Sequence, residues 1–275
     1  MDSLSKILGL KLTIDIVDIG ASPSGGNPPY QPLVEEEIAT VIGFEPYPEA
    51  LAKLNENRKE FETYLPYAIG DGGIHEFKHC QAPEMSSLLE PNAKLLSFFH
   101  HFSNFGKVLK REEIQTVKLD EIEEISNMDM LKIDIQGGEL NVFENGVKKL
   151  SECQIVHTEV EFIPLYLNQP LFSEIEIFLR GQDFIFHKFA PLRSRVLQPM
   201  KVGDSVTAGL SQIFDGDAVF MRDFTQLHKM KPQQLMKMAV ILHDVYESLD
   251  VVYRILLAHD KRKRTKYASR YIDAL

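Results

Sequence analysis

A chain of 275 residues, 44% of them hydrophobic, can bury one large α/β core plus an appendage, and it holds no run of about 18 apolar residues that would mark a membrane span. The formal charge of −10 excludes a general nucleic-acid binder, because phosphate contacts need a basic face. Cys80 and Cys153 lie outside any CxxC or zinc-type Cys/His spacing, and the first residues lack the basic start and cleavage site of a signal peptide, so a soluble cytoplasmic protein without disulfides or structural zinc is expected.

In chain order, Leu12-Thr-Ile-Asp-Ile-Val-Asp-Ile-Gly20 reads as a strand ending on Asp18 and Gly20. A loop rich in Gly, Pro, Ser and Asn follows over 21–32, then a short acidic helix from Leu33. Thr40-Val-Ile-Gly-Phe44 is a second strand ending on Glu45; Pro46 stops it, and 48–60 reads as a helix through Leu51 and Leu54. Residues 63–69 read as a third strand closing on Gly70-Asp71-Gly72-Gly73, with 74–79 as an extension strand of a hairpin. Residues 81–111 are less regular and hold Met85-Ser-Ser-Leu-Leu89 and Phe98-Phe-His-His-Phe102, while a short strand at 115–119 leads into Asp120 and a brief acidic helix.

The organising unit is Leu131-Lys-Ile-Asp-Ile-Gln-Gly-Gly-Glu139. Leu131, Ile133 and Ile135 alternate with polar residues, Asp134 falls where the strand runs out into a glycine turn, and Glu139 opens a helix whose Leu140, Val142, Phe143 and Val147 would pack on the sheet. A strand over 154–159, a helix over 172–179 closed by Gly181, a strand over 184–188 and, after an Asp215-Gly-Asp217 turn, a last strand at Val219-Phe-Met221 complete the series. Strands that end in polar turns, with helices between them, predict parallel βαβ units in a doubly wound sheet.

Beyond residue 225 the pattern changes, which suggests units of 1–225 and 226–275. Leu235, Met238, Leu242, Val245, Leu249, Val252 and Leu256 are spaced 3-4-3-4-3-4, predicting one long amphipathic helix that either covers its own domain or pairs with a second copy. From residue 254 onward, seven Lys or Arg against two Asp give a local +5 and leave −15 on the rest. Such a tail could touch nucleic acid, an acidic lipid surface or the acidic body itself; the plain reading is a solvated helix end.

Acids closing the first two strands, Asp18 beside Gly20 and then Glu45, describe a nucleoside site, since a glycine admits a ligand to the backbone and the second acid can accept from both ribose hydroxyls. Dinucleotides normally require G-x-G-x-x-G, whereas S-adenosylmethionine, which has no phosphate, tolerates a looser loop. Asp18-Ile-Gly-Ala-Ser-Pro-Ser-Gly-Gly26 lacks the dinucleotide spacing, so the methionine cofactor is preferred.

At this point the chain resembles the FkbM-type family of class I, Rossmann-like S-adenosylmethionine-dependent methyltransferases. The resemblance rests on Val17-Asp-Ile-Gly-Ala21, Gly43-Phe-Glu-Pro46 followed by Leu51 and Asn55, Ala68-Ile-Gly-Asp71 with Gly73, Val117-Lys-Leu-Asp120, the 131–139 unit and the Glu159 strand, in that order over 14–222. It implies a seven-stranded, mostly parallel sheet with one antiparallel strand, and methyl transfer to a hydroxyl of a sugar, glycan or small natural product. By position it places Asp18, Gly20 and Ala21 at the methionine end of the cofactor, Glu45 and Pro46 at its ribose, Ile69 and Asp71 beside the adenine, and Ser87 at the cofactor's carboxylate end. Asp134 and Gln136 would face the sulfonium and acceptor. The loop 22–30 carries more Pro and Gly than many class I enzymes have there.

A hydroxyl acceptor must lose its proton during attack, which calls for a positioned carboxylate or histidine. Asp134 is the first choice, with Glu159 and Glu161 next; Glu139 reads better as helix N-terminal charge compensation, and His157 as packing into the sheet or bonding a backbone group. No metal is expected, because His75 and His79 beside Cys80 would stand on an exposed hairpin face without an acid partner. The competing readings are a catalytically silent scaffold that binds partners through its C-terminal helix, and a nicotinamide-dependent oxidoreductase, which the loop disfavours. The methyltransferase reading requires Asp18 and Glu45 to converge on one crevice that reaches Asp134.

Overall fold

Alternating aliphatic residues carry the strands read from the sequence into one sheet. The computed structural model describes residues 2–23, 26–205 and 208–275. Its strands in chain order are β1 (Ile14–Ile19), β2 (Ala39–Phe44), β3 (Glu62–Leu65), β4 (Ala68–Gly70), β5 (Ile74–Cys80), β6 (Val108–Lys118), β7 (Met130–Ile133), β8 (Ile155–Glu161), β9 (Phe184–Arg195) and β10 (Gln212–Arg222). Seven of these form one sheet in the order β3-β2-β1-β7-β8-β10-β9. β1, β2, β3, β7 and β8 pair in parallel, while β10 runs antiparallel to both β8 and β9. This is the expected doubly wound, Rossmann-like sheet, with one strand reversed.

Helices cover both faces. On one side Val17, Ile19, Leu131, Ile133 and Val156 pack with Val142, Phe143, Ile175 and Leu179 from the helices Glu139–Glu144 and Phe172–Gly181. On the other, Ile14, Ile16, Val41, Met130, Ile155, Val219 and Met221 meet Leu235, Met238, Leu242, Val252 and Leu256. Each fully buried aliphatic side chain there contributes roughly 1.5–3 kcal/mol. Most of the C-terminal stripe is therefore buried against its own sheet, with Val245 and Leu249 half-buried.

The stripe also belongs to two helices, Pro232–Asp244 and Leu249–Lys263, not to the single long one its spacing predicts. No Gly or Pro marks the break. Glu247 turns the chain at φ 49°, and Ser248 donates to the Tyr246 carbonyl (3.2 Å) while bonding His187 Nε2 (2.7 Å). That contact spans 61 positions, so no local pattern reports it.

The segment expected as one strand at 63–69 is divided. β3 stays in the main sheet, while β4, past Pro66, pairs with β6 in a separate three-stranded sheet of order β4-β6-β5. β5 is not a hairpin partner of the preceding strand; it runs antiparallel to β6, from Ile74 opposite Gln115 to His79 opposite Lys110. β6 itself spans 11 residues where a short strand was expected, because Lys110, Arg111, Glu112 and Glu113 on its exposed half conceal the apolar alternation. Asp215-Gly-Asp217 is no turn but the interior of β10. Of the Gly/Pro-rich loop, Ser24 and Gly25 lie outside the described residues, as do Val206 and Thr207 between β9 and β10.

Candidate active site

Successive residues of a strand face opposite sides, so strand register determines which side chains share a surface. Four strands align Ile16, Met130, Ile155 and Met221 as one apolar row across the sheet. Two residues further along the parallel strands, the same face carries Asp18, Lys132 and His157. Beyond that, Glu159 stands opposite Asp217, and Asp134 extends β7 alongside them. The face thus changes from core to site towards the carboxyl edge, where ligands bind in open α/β sheets.

These upper rows border a cavity of about 520 Å³, a small-molecule volume. Asp18, Gly20, Ala21, Tyr30, Lys132, Asp134, His157, Glu159 and Asp217 line it, together with Lys53, Asn57 and Tyr64 on the far wall. Asp18 is almost fully buried, accepts from the Tyr30 hydroxyl at 2.7 Å and lies 3.1 Å from Lys132 Nζ. The Lys132 contact falls outside hydrogen-bond alignment, so Asp18 Oδ1 retains capacity for a further donor. Burial works against the charged ammonium of Lys132, but Asp18, Asp134 and Glu159 outweigh it and raise its pKa. Lys132 also donates to the Gly20 carbonyl at 3.2 Å, tying two strand ends together.

Gly20 has φ +79°, and a Cβ there would sit 2.0 Å from the Asp134 carbonyl oxygen. Glycine is thus required for the close approach of β1 to the turn after β7, and that approach brings Asp18 and Asp134 to one cavity.

Gln136 binds the acids into a unit. Its Nε2 donates to Asp134 Oδ1 (2.9 Å) and Glu159 Oε2 (2.6 Å), while its Oε1 accepts from the Tyr166 hydroxyl (3.0 Å). Its backbone is left-handed, φ 60°, an arrangement a non-glycine residue adopts at some cost. The Ser87 hydroxyl, donating to the Gln136 carbonyl at 2.7 Å, holds it there. On the far side Arg193 Nη2 reaches Glu159 (3.2 Å) and Asp217 (3.3 Å), and its Nε pairs with Asp215.

Burial pushes the Glu159 carboxyl well above its ordinary pKa, and the neighbouring Asp134 and Glu161 charges add to the rise. Glu161 is raised likewise by burial, then by Glu139 and Asp134; it is 2% exposed, and its Oε2 has no hydrogen-bond partner among the described residues. Glu139, pushed up to about 7 by burial, turns back to accept from the Ile135 (2.8 Å) and Gly137 (3.3 Å) N–H groups. It therefore braces the turn that presents Asp134 and Gln136, as its placement at a helix start suggests.

The sequence-derived residues thus fall into two groups. Asp18, Gly20, Ala21, Asp134 and Glu159 line the cavity, and Gln136 and Ser87 support it from behind. Glu45, Pro46, Ile69, Asp71 and Glu161 are not among the described residues lining it. Glu45 accepts from the Tyr47 N–H at 2.7 Å, with its pKa raised by burial. Asp71 pairs with His75 at 2.7 Å and accepts from the Gly73 N–H at 2.8 Å, and the two bonds lower its pKa to about 2. Asp18 and Glu45 were expected to converge on one crevice reaching Asp134; the cavity joins Asp18 to Asp134, but Glu45 is not among the described residues lining it, so that convergence is found for Asp18 alone.

His75 and His79 do have acid partners, contrary to the sequence reading: Asp71 at 2.7 Å and Glu112 at 3.1 Å. His157 is more than a packing residue, since it lines the cavity while its Nδ1 bonds the Tyr246 hydroxyl at 3.0 Å. Lys132, Tyr30, Arg193 and Tyr166 were not singled out from the sequence. The lysine in the 131–139 motif was readable there as a cation one strand over from Asp18; the other three reach the site from distant segments and leave no local signal.

The residues present suit S-adenosylmethionine in part. A cavity of small-molecule volume, a buried Asp18 oxygen with spare acceptor capacity and a glycine-bounded floor fit the methionine end. No curated protein matches the sequence. Among solved structures, an assigned methyltransferase from Thermoplasma acidophilum is similar, with a TM-score of 0.41 at 10% identity, covering 79% of this chain and 71% of that one. A precorrin-6y C5,15-methyltransferase from Geobacter metallireducens gives 0.40 at 11% identity, over 80% and 86%. Likeness at this level fixes neither activity nor substrate. The Methyltransferase FkbM domain model, in contrast, matches residues 18–186, more than half of the chain and nearly all the elements that build this cavity. The chain belongs to the FkbM methyltransferase family, and its cofactor is S-adenosylmethionine.

Proposed function

We propose that this methyltransferase acts on a hydroxyl oxygen of a sugar, glycan or small natural product, in the cytoplasm. Residues 1–225 form the methyltransferase unit, and 226–275 a helical layer beneath it. One observation carries the reading: Asp134 and Glu159, joined by Gln136, stand side by side at the head of the cavity that also holds Asp18.

S-adenosylmethionine, when bound, supplies a methyl carbon activated by positive sulfur. Asp18, Gly20 and Ala21 hold the methionine end, and Lys132 stands 3.1 Å from Asp18 as its counter-charge. Glu45 and Pro46 serve the ribose, Ile69 and Asp71 the adenine, and Ser87 acts through the Gln136 backbone; for Glu45, Pro46, Ile69 and Asp71 the support is the family's motif order. Asp134 takes the acceptor's proton. Glu159, whose pKa burial raises, stands beside it as the next candidate, tied to Asp134 by the hydrogen bonds that Gln136 donates to both carboxylates, with Glu161 behind it. Alignment and exclusion of water supply the remainder of the rate.

Calorimetry with S-adenosylmethionine and with NAD tests the cofactor; binding of NAD alone would reject the reading. Glu45→Ala should weaken S-adenosylmethionine binding by roughly 1–3 kcal/mol, and unchanged affinity would remove Glu45 from the site. Mass spectrometry of metabolites and glycans from cells with and without the protein should reveal a methyl-sized difference. A second reading, a silent scaffold, draws on Tyr30 already occupying Asp18, and would be favoured by cofactor binding with no methylated product.

A further inference from the structure

The acidic body of this protein carries a cationic patch at the edge of the sheet away from the cavity. Helix Leu249–Lys263 ends there on Lys261, Arg262 and Lys263, followed by Arg264 and Lys266. β10 runs against the parallel strands, so the segment after Arg222 emerges at their amino edge, and Arg262 bonds the Met230 carbonyl in that segment. Lys261, Lys263, Arg264 and Lys266 are exposed and form no ion pair among the described residues. The tail is therefore not neutralised by the acidic body, one of the fates its sequence allowed.

Exposed aliphatic residues lie among these charges. Leu257 is 39% exposed, Ile272 50% and Leu275 55%. Leu257 and Ile272 border one groove of about 380 Å³ together with Lys266. Lys261 follows Leu257 by four positions within the helix Leu249–Lys263 and so shares its side of that helix, while Arg264, at φ 57°, ends it beside Lys266. Two acids border the groove: Asp260 is occupied by Thr265 and by the N–H groups of Tyr267 (3.0 Å) and Ala268 (2.9 Å), and Asp273 is exposed, leaving the cations of this end in excess.

We propose that this end of the molecule docks on an anionic phospholipid bilayer. Cations beside exposed aliphatic side chains suit a headgroup boundary, where lysine and arginine meet lipid phosphate while leucine and isoleucine enter the acyl margin. A nucleic acid is the poorer match, because a strand longer than the patch would run across a body that carries about −15. Docked this way, the protein keeps its cavity on the side away from the lipid, open to a water-soluble acceptor. The proposal uses none of the residues assigned to methyl transfer and stands apart from that reading.

The test is sedimentation of the full chain with vesicles of phosphatidylcholine alone and of phosphatidylcholine with phosphatidylglycerol. Binding should need phosphatidylglycerol and weaken as salt rises. Replacing the four free cations (Lys261→Gln, Lys263→Gln, Arg264→Gln, Lys266→Gln) should weaken it by a hundredfold or more, at about fivefold per charge. Ile272→Ser should weaken it severalfold at unchanged charge. Thermal melts of each variant confirm that these exposed changes leave the fold intact. Equal sedimentation with both vesicles, undiminished binding by the four-charge variant, or displacement from vesicles by an RNA duplex at lower concentration than by phosphatidylglycerol would each overturn the proposal.

Discussion

The lower and upper halves of one sheet face are built by the same strands yet do opposite work. Below, Ile16, Met130, Ile155 and Met221 are sealed by the helix Pro232–Asp244. Above, Asp18, Lys132, His157 and Glu159 are met by the Gly/Pro-rich loop, which leaves a cavity. A strand of period two carries both halves without changing conformation; the layer that covers it decides which half becomes core. Polar residues survive in the upper half because they neutralise one another: Lys132 beside Asp18, Arg193 between Glu159 and Asp217.

The contrast can be tested from both ends. The largest effect is expected from Asp134→Asn, which should lower turnover by about 10²–10⁴-fold while leaving the melting temperature nearly unchanged; a normal rate would remove it as the base. Lys132→Ala should cost stability on the order of 3–5 kcal/mol in denaturant unfolding, because it leaves Asp18 buried without its counter-charge. If Lys132→Met combined with Asp18→Leu does not recover most of that loss, the pair is not what holds the two strand ends. Met130→Ala, in the lower half, should cost roughly 2–5 kcal/mol by opening a cavity yet leave cofactor affinity unchanged, a result that calorimetry can contradict.

Acidity gives a further separation. Glu139, raised to about 7, binds its proton more tightly folded than unfolded, and Glu159 and Glu161 shift the same way. A carboxyl raised in this manner stabilises the fold below its unfolded pKa and loses that contribution as pH climbs through the folded one. Stability should therefore fall between about pH 4.5 and 7, by on the order of 3 kcal/mol from Glu139. A melting temperature that rises over this window, or an equal slope in Glu139→Gln, would contradict the assignment. The smallest effect is expected from Tyr166→Phe, about 1 kcal/mol in stability, with a fall in turnover if Gln136 positions Asp134.

Much of the frame was legible because it is local. The alternation in 12–20, 40–44 and 131–135 marked β1, β2 and β7, and each closes on or beside an acid, Asp18, Glu45 and Asp134. β6 and β10 were under-read because charged residues on an exposed or site-facing stretch erase the hydrophobic period while the strand continues. Glu45 and Asp71 were legible as strand-end acids, yet their bonds to Tyr47 and His75 lie outside any motif.

By itself the sequence determined β1, β2, β7 and β8, the acids that close them and the glycine that permits their close approach, since propensity and periodicity act over a few residues. Only the tertiary structure decided that Lys132 neutralises Asp18, that Tyr166 and Ser87 hold Gln136, that Arg193 spans three acids, and that the C-terminal stripe turns back at Glu247 onto its own sheet. Those outcomes depend on register and packing between residues tens to hundreds of positions apart, which no local pattern encodes.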